Sequence, residues 1–247
     1  MKSLLIGVLA AGLAFSAQAG QSVTYKVDGK DYEGYMAKAS GASKGLVLIV
    51  HDWDGVDKYE ETRAEMLAKL GYDAFAVDLF GKGNRPQEVK AKRALTGSLY
   101  KNRDLMRKLM TAGLETARKS SSGKTVVMGY CFGGAAVLEM ARSIKASNIA
   151  GYATFHGGLV TPKGQSYPDD TAPILIAHGG ADTAITMDHV AALSKELEAK
   201  KIKYQIEVYS GAPHAFTVIG SGRYRKVADE QSWSAFRDFL NTNLPGS

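Results

Sequence analysis

The chain is poor in cysteine. Cys131 is the sole one among 247 residues. No disulfide can therefore form within the chain, and zinc ribbons and thioredoxin-type thiol pairs are excluded. Proline is sparse too, at six residues, and no Pro/Ser-rich linker divides the sequence. A long apolar run is also missing. Residues 4–15 form a stretch of 12, against the roughly 20 that a bilayer-spanning helix needs, and no later run is long enough. Glycine is plentiful at 27 residues, but it follows no triplet, and no heptad is sustained. Collagen-like and coiled-coil architectures are thereby excluded. With 45% hydrophobic and 23% charged residues, the chain is also too apolar to be disordered. What is left is an ordinary globular chain with ample length for a core.

The first residues have a separate role. Lys2 gives a short positive end, residues 4–15 are apolar, and Ser16-Ala17-Gln18-Ala19 supplies small residues in an A-x-A pattern. This order predicts a cleaved secretory signal over residues 1–19, with cleavage before Gly20 and a secreted or periplasmic location. No cysteine follows the apolar stretch, so a lipid anchor through one is excluded. Residues 20–247 are expected to form a single domain.

Charge is uneven. The formal net charge is +6, and between residues 82 and 119 eleven Lys/Arg face three acids. Tyr100 is the one aromatic within this basic run, and no nucleic-acid motif accompanies it, so nucleic acid is not an expected partner. The run reads either as a solvated helical face or as a source of arginines that attract an anionic small molecule. A membrane is not an expected partner either.

Residues 23–37 alternate around Asp28-Gly29, the signal of a β-hairpin. Residues 45–50 (GLVLIV) are a continuous apolar run, as in a strand buried on both faces. From there strands are predicted at 72–77, 125–128, 149–155, 173–177 and 204–209. Helices are predicted at 59–70, 88–96, 99–118, 132–144, 188–200 and 224–244. Such alternation implies right-handed crossovers and a mostly parallel sheet flanked by helices, the α/β class.

The chemistry concentrates in three places. Gly129-Tyr130-Cys131-Phe132-Gly133-Gly134 follows a predicted strand and opens a helix. This is a G-x-nucleophile-x-G elbow with Cys131 as nucleophile. Its turn is tight enough to need glycine two residues before and two after. It also sets the sulfur at the positive end of a helix, which favours thiolate. An elbow requires an acid and then a histidine further along. Asp182 follows a strand in His178-Gly179-Gly180-Ala181-Asp182, and His214 lies in the loop Gly211-Ala212-Pro213-His214-Ala215-Phe216. The order Cys131, Asp182, His214 fits: histidine moves the proton and aspartate orients it. His178 is the rival base but precedes the acid. His51, His156 and His178 end strands and read as hydrogen-bonded wall residues, and His189 as an exposed helix-start residue. No histidine pair has metal-ligand spacing, so no metal is expected.

His51-Asp52-Trp53-Asp54-Gly55 ends the first parallel strand. The backbone N–H groups of Trp53 and Phe132 are the expected oxyanion donors. Asp52 is expected to point at the thiol and modulate its proton, with a loop-capping aspartate as the alternative. Asp78 is expected to brace a turn.

In these motifs, together with Val77-Asp78-Leu79-Phe80-Gly81-Lys82-Gly83, the sequence resembles the dienelactone hydrolase family over about residues 45–244. The resemblance implies an α/β-hydrolase fold with an N-terminal β-hairpin. It further implies a Cys131–Asp182–His214 triad, hydrolysis of small esters or lactones through a thioester, and no cofactor. Two positions depart from the family pattern: Asp52 stands where glutamate is usual, and Val218 where an arginine grips the substrate carboxylate. Arg85, Arg93, Arg103, Arg223 or Arg225 could take over that grip, and Phe216 is a further candidate substrate contact. Missing the clamp also leaves open a non-catalytic ligand-binding protein on a hydrolase scaffold. A redox sensor built on Cys131 alone would need neither Asp182 nor His214.

Overall fold

The computed structural model describes residues 19–143 and 147–245. The expected leader at residues 1–19 falls almost wholly outside the described residues. Two strands open the fold, β1 (Gln21–Val27) and β2 (Lys30–Ala37). They pair antiparallel about Asp28-Gly29, both at positive φ (49° and 78°), the backbone a tight two-residue hairpin requires. The remaining strands are β3 (Leu46–Val50), β4 (Asp73–Val77), β5 (Thr125–Tyr130), β6 (Ile149–Phe155), β7 (Ile174–Gly179) and β8 (Tyr204–Tyr209). They complete one eight-stranded sheet in the order β1-β2-β4-β3-β5-β6-β7-β8. β2 meets β4 antiparallel, and every pairing from β4 to β8 is parallel.

The helices are α1 (Lys58–Lys69), α2 (Val89–Lys101), α3 (Arg103–Arg118), α4 (Phe132–Ser143), α5 (Met187–Ala199) and α6 (Lys226–Asn243). They cover both faces. Leu67 of α1 and Phe236 of α6 pack with Ile49 and Met128 on one side. Met110 of α3, Val137 of α4 and Leu193 of α5 pack with Leu48 and Val127 on the other. β3, β4 and β5 are buried at every residue, which is why they read as continuous apolar runs. No described helix is long and apolar enough to cross a membrane.

Helix starts follow local chemistry. The Asp57 carboxylate accepts from Tyr59 N–H (2.7 Å), and Glu60 accepts from Asp57 N–H (3.1 Å), a reciprocal cap on α1. The division between α2 and α3 differs from the sequence expectation. Residues 97 and 98, which fall between the two predicted helices and include Gly97, lie inside α2, and the chain turns at Asn102, whose side chain caps α3 through Leu105 N–H (3.1 Å). A capping side chain that satisfies an orphan N–H fixes a boundary better than a glycine that a helix can tolerate.

Candidate active site

Parallel strands place their C-terminal ends along one edge of the sheet, and three of those ends carry the candidate residues. Cys131 sits between β5 and α4 at φ 51°. That left-handed backbone is strained for a residue with a side chain. Its N–H is held by Phe155 O (3.0 Å), and its carbonyl starts α4 by accepting from Ala135 N–H (3.2 Å). The glycine requirement is steric. A Cβ on Gly129 would collide with the Gly133 carbonyl, and one on Gly133 with the carbonyls of Val50 and His51. The elbow is thus pressed against the end of β3.

His214 Nε2 lies 3.0 Å from Cys131 Sγ, and His214 Nδ1 lies 2.8 Å from Asp182 Oδ2. Asp182 is fixed from behind. Its Oδ1 accepts from the N–H groups of Ala184 (2.8 Å) and Ile185 (2.9 Å). Burial alone would lower the pKa of His214, but its bonds to Asp182 and Cys131 outweigh that and raise it to about 10. Burial works against the Asp182 carboxylate as well, yet the His214 bond and the Ile185 N–H hold it below the usual range. The three residues expected to act together are therefore in contact, each polarising the next.

The surrounding histidines divide as wall residues. His51 Nδ1 bonds Asp52 O (2.6 Å) and its Nε2 accepts from Leu79 N–H (3.1 Å); burial holds its pKa down at about 4. His156 bonds Thr217 Oγ1 (2.8 Å). His178 is buried and neither ring nitrogen has a hydrogen-bond partner among the described atoms. His189, read as exposed, is half-buried and joins Thr186 in the cap of α5. Among the described residues no group of three or more His, Cys, Asp or Glu side chains is arranged to hold a metal ion.

Several expected contacts fall elsewhere. Asp52 makes no hydrogen bond to Cys131. Its Oδ1 accepts from Asp54 N–H (2.7 Å), the loop-capping alternative, because a two-residue turn puts that donor closer than the thiol. Burial, with Asp54 and Asp57 nearby, pushes its pKa up to about 7. Glu60, also buried, is raised by burial and by Asp52. Asp78 braces its turn as expected, accepting from Phe80 N–H (2.9 Å) and Gly81 N–H (3.1 Å).

Arg85 is committed within the fold. Its guanidinium is spent on Val56 O (2.5 Å), Glu33 O (3.0 Å) and Asp78 (3.4 Å), a strap between the hairpin and the β3 loop. Phe216 is wholly buried against His156 and Tyr209, so it is core rather than substrate wall. Arg93 is exposed on α2 without a side-chain partner among the described residues. Arg103, together with Arg142, reaches a pocket. A cavity of about 240 Å³ opens beside the first turn of α4, with Tyr100 and Arg103 on one side and Gly158 and Val160 on the other. Arg103 bonds Glu139 (2.7 Å) and lies over the Tyr100 ring.

Sequence reasoning missed Tyr100. Its ring packs edge-on against Phe132, the residue after Cys131 (centroids 5.4 Å apart). Burial, then the charge of Cys131, push its phenol up to about 12. No motif marks this tyrosine. Glu139 was missed as well, although an acid inside the apolar helix α4 was a usable signal. It is buried and ringed by Arg103, Arg107, Arg142 and Gln165.

A doubly covered, mostly parallel sheet with a glycine-flanked elbow at Cys131 after β5, Asp182 after β7 and His214 after β8 has the layout of an α/β-hydrolase. Comparison with known proteins narrows this further. The pattern of the dienelactone hydrolase family matches residues 32–244, and the chain belongs to that family. A Yersinia pestis protein named "Putative carboxymethylenebutenolidase" is 28% identical over 209 residues, 79% of this chain and 77% of its own. A dienelactone hydrolase-like promiscuous phosphotriesterase from metagenomic libraries superposes with a TM-score of 0.83 at 24% identity, covering 92% of this chain and 99% of its own. A thermophilic esterase from the planctomycete Thermogutta terrifontis gives 0.62 at 16% identity, covering 91% of this chain and 92% of its own. The last two likenesses speak to fold alone.

Proposed function

We propose that this protein hydrolyses small carboxylic esters or lactones by covalent catalysis at Cys131. One observation carries the reading. The sulfur lies 3.0 Å from a histidine whose far nitrogen is 2.8 Å from a buried carboxylate, the arrangement of an activated nucleophile.

In this reading the thiolate attacks the acyl carbon, and the negative charge on the carbonyl oxygen is met by two backbone donors. Phe132 begins α4, so its N–H has no carbonyl one turn earlier to bond. The Trp53 N–H has no acceptor among the described residues. The imidazolium of His214 then gives its proton to the departing oxygen and leaves a thioester on Cys131. Neutral His214 takes a proton from water, the resulting hydroxide equivalent adds to the thioester, and the acid leaves as the thiolate re-forms. Asp182 holds the imidazole plane and stabilises its charged form throughout. The reaction needs no cofactor.

The substrate would sit in the cavity by Tyr100, where Arg103 can meet an anionic group on it. The leader over residues 1–19 would send the mature chain, from Gly20 onward, to a secreted or periplasmic location.

The test is turnover of a p-nitrophenyl ester and lactone panel by the mature protein, with Cys131→Ala beside it. Loss of turnover in the variant and inactivation of the wild type by iodoacetamide are expected. A Cys131→Ala protein that keeps wild-type turnover would overturn the reading. An inert wild type would favour the ligand-binding alternative.

A further inference from the structure

His156 is a buried histidine that the mechanism above does not use. It follows the last residue of β6 at φ 41°, a left-handed backbone uncommon for a residue with a side chain. Its N–H is fixed to Ala177 O (2.8 Å). Its ring packs edge-on to the ring of His214, with centroids 5.3 Å apart and planes at 66°. Its Nε2 bonds Thr217 Oγ1 (2.8 Å), and the same hydroxyl bonds Tyr59 OH (2.7 Å). Thr217 lies three residues beyond His214, on the same loop, and its carbonyl accepts from Arg63 Nη2 (2.9 Å).

The loop that carries His214 is thus tied down immediately beyond it, and the knot is made through His156. Asp182 and Cys131 define two points on the His214 ring. A ring hinged on two hydrogen bonds can still tilt about the line joining them, and an edge-to-face neighbour removes that freedom. We propose that His156 is a positioning residue for His214. It forms a neutral wall, anchored through Thr217 to Tyr59, that holds the imidazole in line with the Cys131 sulfur. This rests on the proposed Cys131 chemistry.

The charges around the wall agree with a neutral role. His214 and Asp182 face His156 from the loops after β8 and β7, Arg63 and Tyr59 from α1, and Tyr130 from β5. Burial first, and then His214, hold His156 well below the usual histidine range, so it stays uncharged beside an imidazolium.

The experiment uses Thr217→Val, which removes the anchoring hydroxyl and keeps the side-chain shape, with His156→Phe and His156→Gln beside it. Two readouts are taken: steady-state ester hydrolysis, and the rate of iodoacetamide inactivation against pH. The inactivation inflection belongs to the coupled Cys131–His214 pair. In Thr217→Val, kcat is expected to fall roughly tenfold with KM within about twofold. The inflection is expected to move up by about half a pH unit or more, because a tilted imidazole stabilises thiolate less well. His156→Phe should behave alike, while His156→Gln, which can still bond the Thr217 hydroxyl, should stay closer to wild type. A folded Thr217→Val protein, checked by near-ultraviolet circular dichroism, with unchanged kcat and unchanged inflection would overturn the positioning role. It would do so even if His156→Phe failed to fold. A wild type with normal turnover but no inflection, or one that resists alkylation, would overturn the Cys131 chemistry and the positioning role with it. Movement in the variants against an inflecting wild type supports both.

Discussion

Replacing Asp182 by Asn tests the site where its geometry is most exacting. The substitution keeps shape, and Asn Oδ1 can still accept from the N–H groups of Ala184 and Ile185, as Asp182 Oδ1 does at 2.8 and 2.9 Å. What changes is the second oxygen, which now accepts from His214 Nδ1 at 2.8 Å. An amide NH2 there donates instead. It forces the proton of neutral His214 onto Nε2, facing the sulfur, where the imidazole can no longer take the thiol proton. The structure also sets a scale. His214 is raised from its ordinary 6.5 to about 10, which is about 5 kcal/mol in favour of imidazolium. If Asp182 supplies roughly half, its loss removes about 2.5 kcal/mol, or about seventyfold. The wrong tautomer adds to that, so kcat/KM should fall by roughly 10²–10⁴. The assay is p-nitrophenyl acetate hydrolysis from pH 5 to 11, with thermal unfolding as a check on folding. The alkaline limb of the profile, near the His214 value of about 10 in the wild type, should fall toward the ordinary histidine range. The sign extends to stability. A histidine raised on folding lends stability that is full below its unfolded pKa and is lost as pH climbs through its folded one. The wild type's margin over Asp182→Asn should therefore shrink between about pH 6.5 and 10. A folded Asp182→Asn enzyme with kcat/KM within about threefold of wild type and an unmoved alkaline limb would refute the reasoning.

Three further outcomes follow from the same structure. Asp52, buried, has its pKa raised to about 7, so its share of stability is full at acid pH and is lost as pH rises from about 4 toward 7. Asp52→Asn keeps the Asp54 cap and should stabilise the protein at pH 7 by on the order of 2–4 kcal/mol, with little gain at pH 4 in urea titrations; an equal effect at both pH values would contradict the burial argument. Gly133→Ala puts a Cβ into the carbonyls of Val50 and His51. Since both are backbone and cannot swing aside, it should cost about 4 kcal/mol or more, seen as a collapsed urea midpoint or loss of soluble protein. Arg63 is buried in an ion pair with Asp229 and donates to Thr217 O. Arg63→Met should lower stability by about 3–5 kcal/mol, whereas Arg63→Met with Asp229→Leu should recover most of it, as measured by thermal melting.

How much of this was written in the sequence varies with the kind of signal. The contact among Cys131, Asp182 and His214 was legible because its signals are local: a turn that admits only glycine at 129 and 133 marks Cys131, and chain order then selects Asp182 over other acids and His214 over His178. The sheet was legible because doubly buried strands such as Leu46–Val50 carry no polar residues. The arginines were not legible, since several of the eleven basic residues between 82 and 119 pair with acids outside that run. Arg85 is held by Asp78, Lys92 by Asp54, Lys108 by Asp28, and Arg103 and Arg107 by Glu139. A net charge counted along the sequence says nothing about such pairing in space. Phe216 failed for a related reason: adjacency to His214 in sequence put it beside the site on paper, but its side chain turns into the core.

Backbone strain adds to the reading of His156 as a hydrogen-bonded wall residue what the sequence did not carry, its placement against His214. Among the described residues, six without glycine's freedom lie at positive φ. Asp28 forms the hairpin turn with Gly29, and Asn148 and Lys201 lie in the connections just before β6 and β8. The other three, Cys131, His156 and Ala215, gather at one sheet edge, around a single imidazole. Strain of this kind is held by the bonds that surround it. The bonds here are Cys131 N–H to Phe155 O, His156 N–H to Ala177 O, and Val218 N–H to Ala215 O (3.1 Å). Phe155 and Ala177 belong to neighbouring strands in register, so the elbow and the histidine wall are anchored to one rigid pair, β6 and β7. Cys131 and His156 therefore share their anchorage in the sheet. A perturbation that loosens the β6–β7 edge should disturb Cys131 and His214 together, whereas one confined to the Arg85 strap should disturb neither.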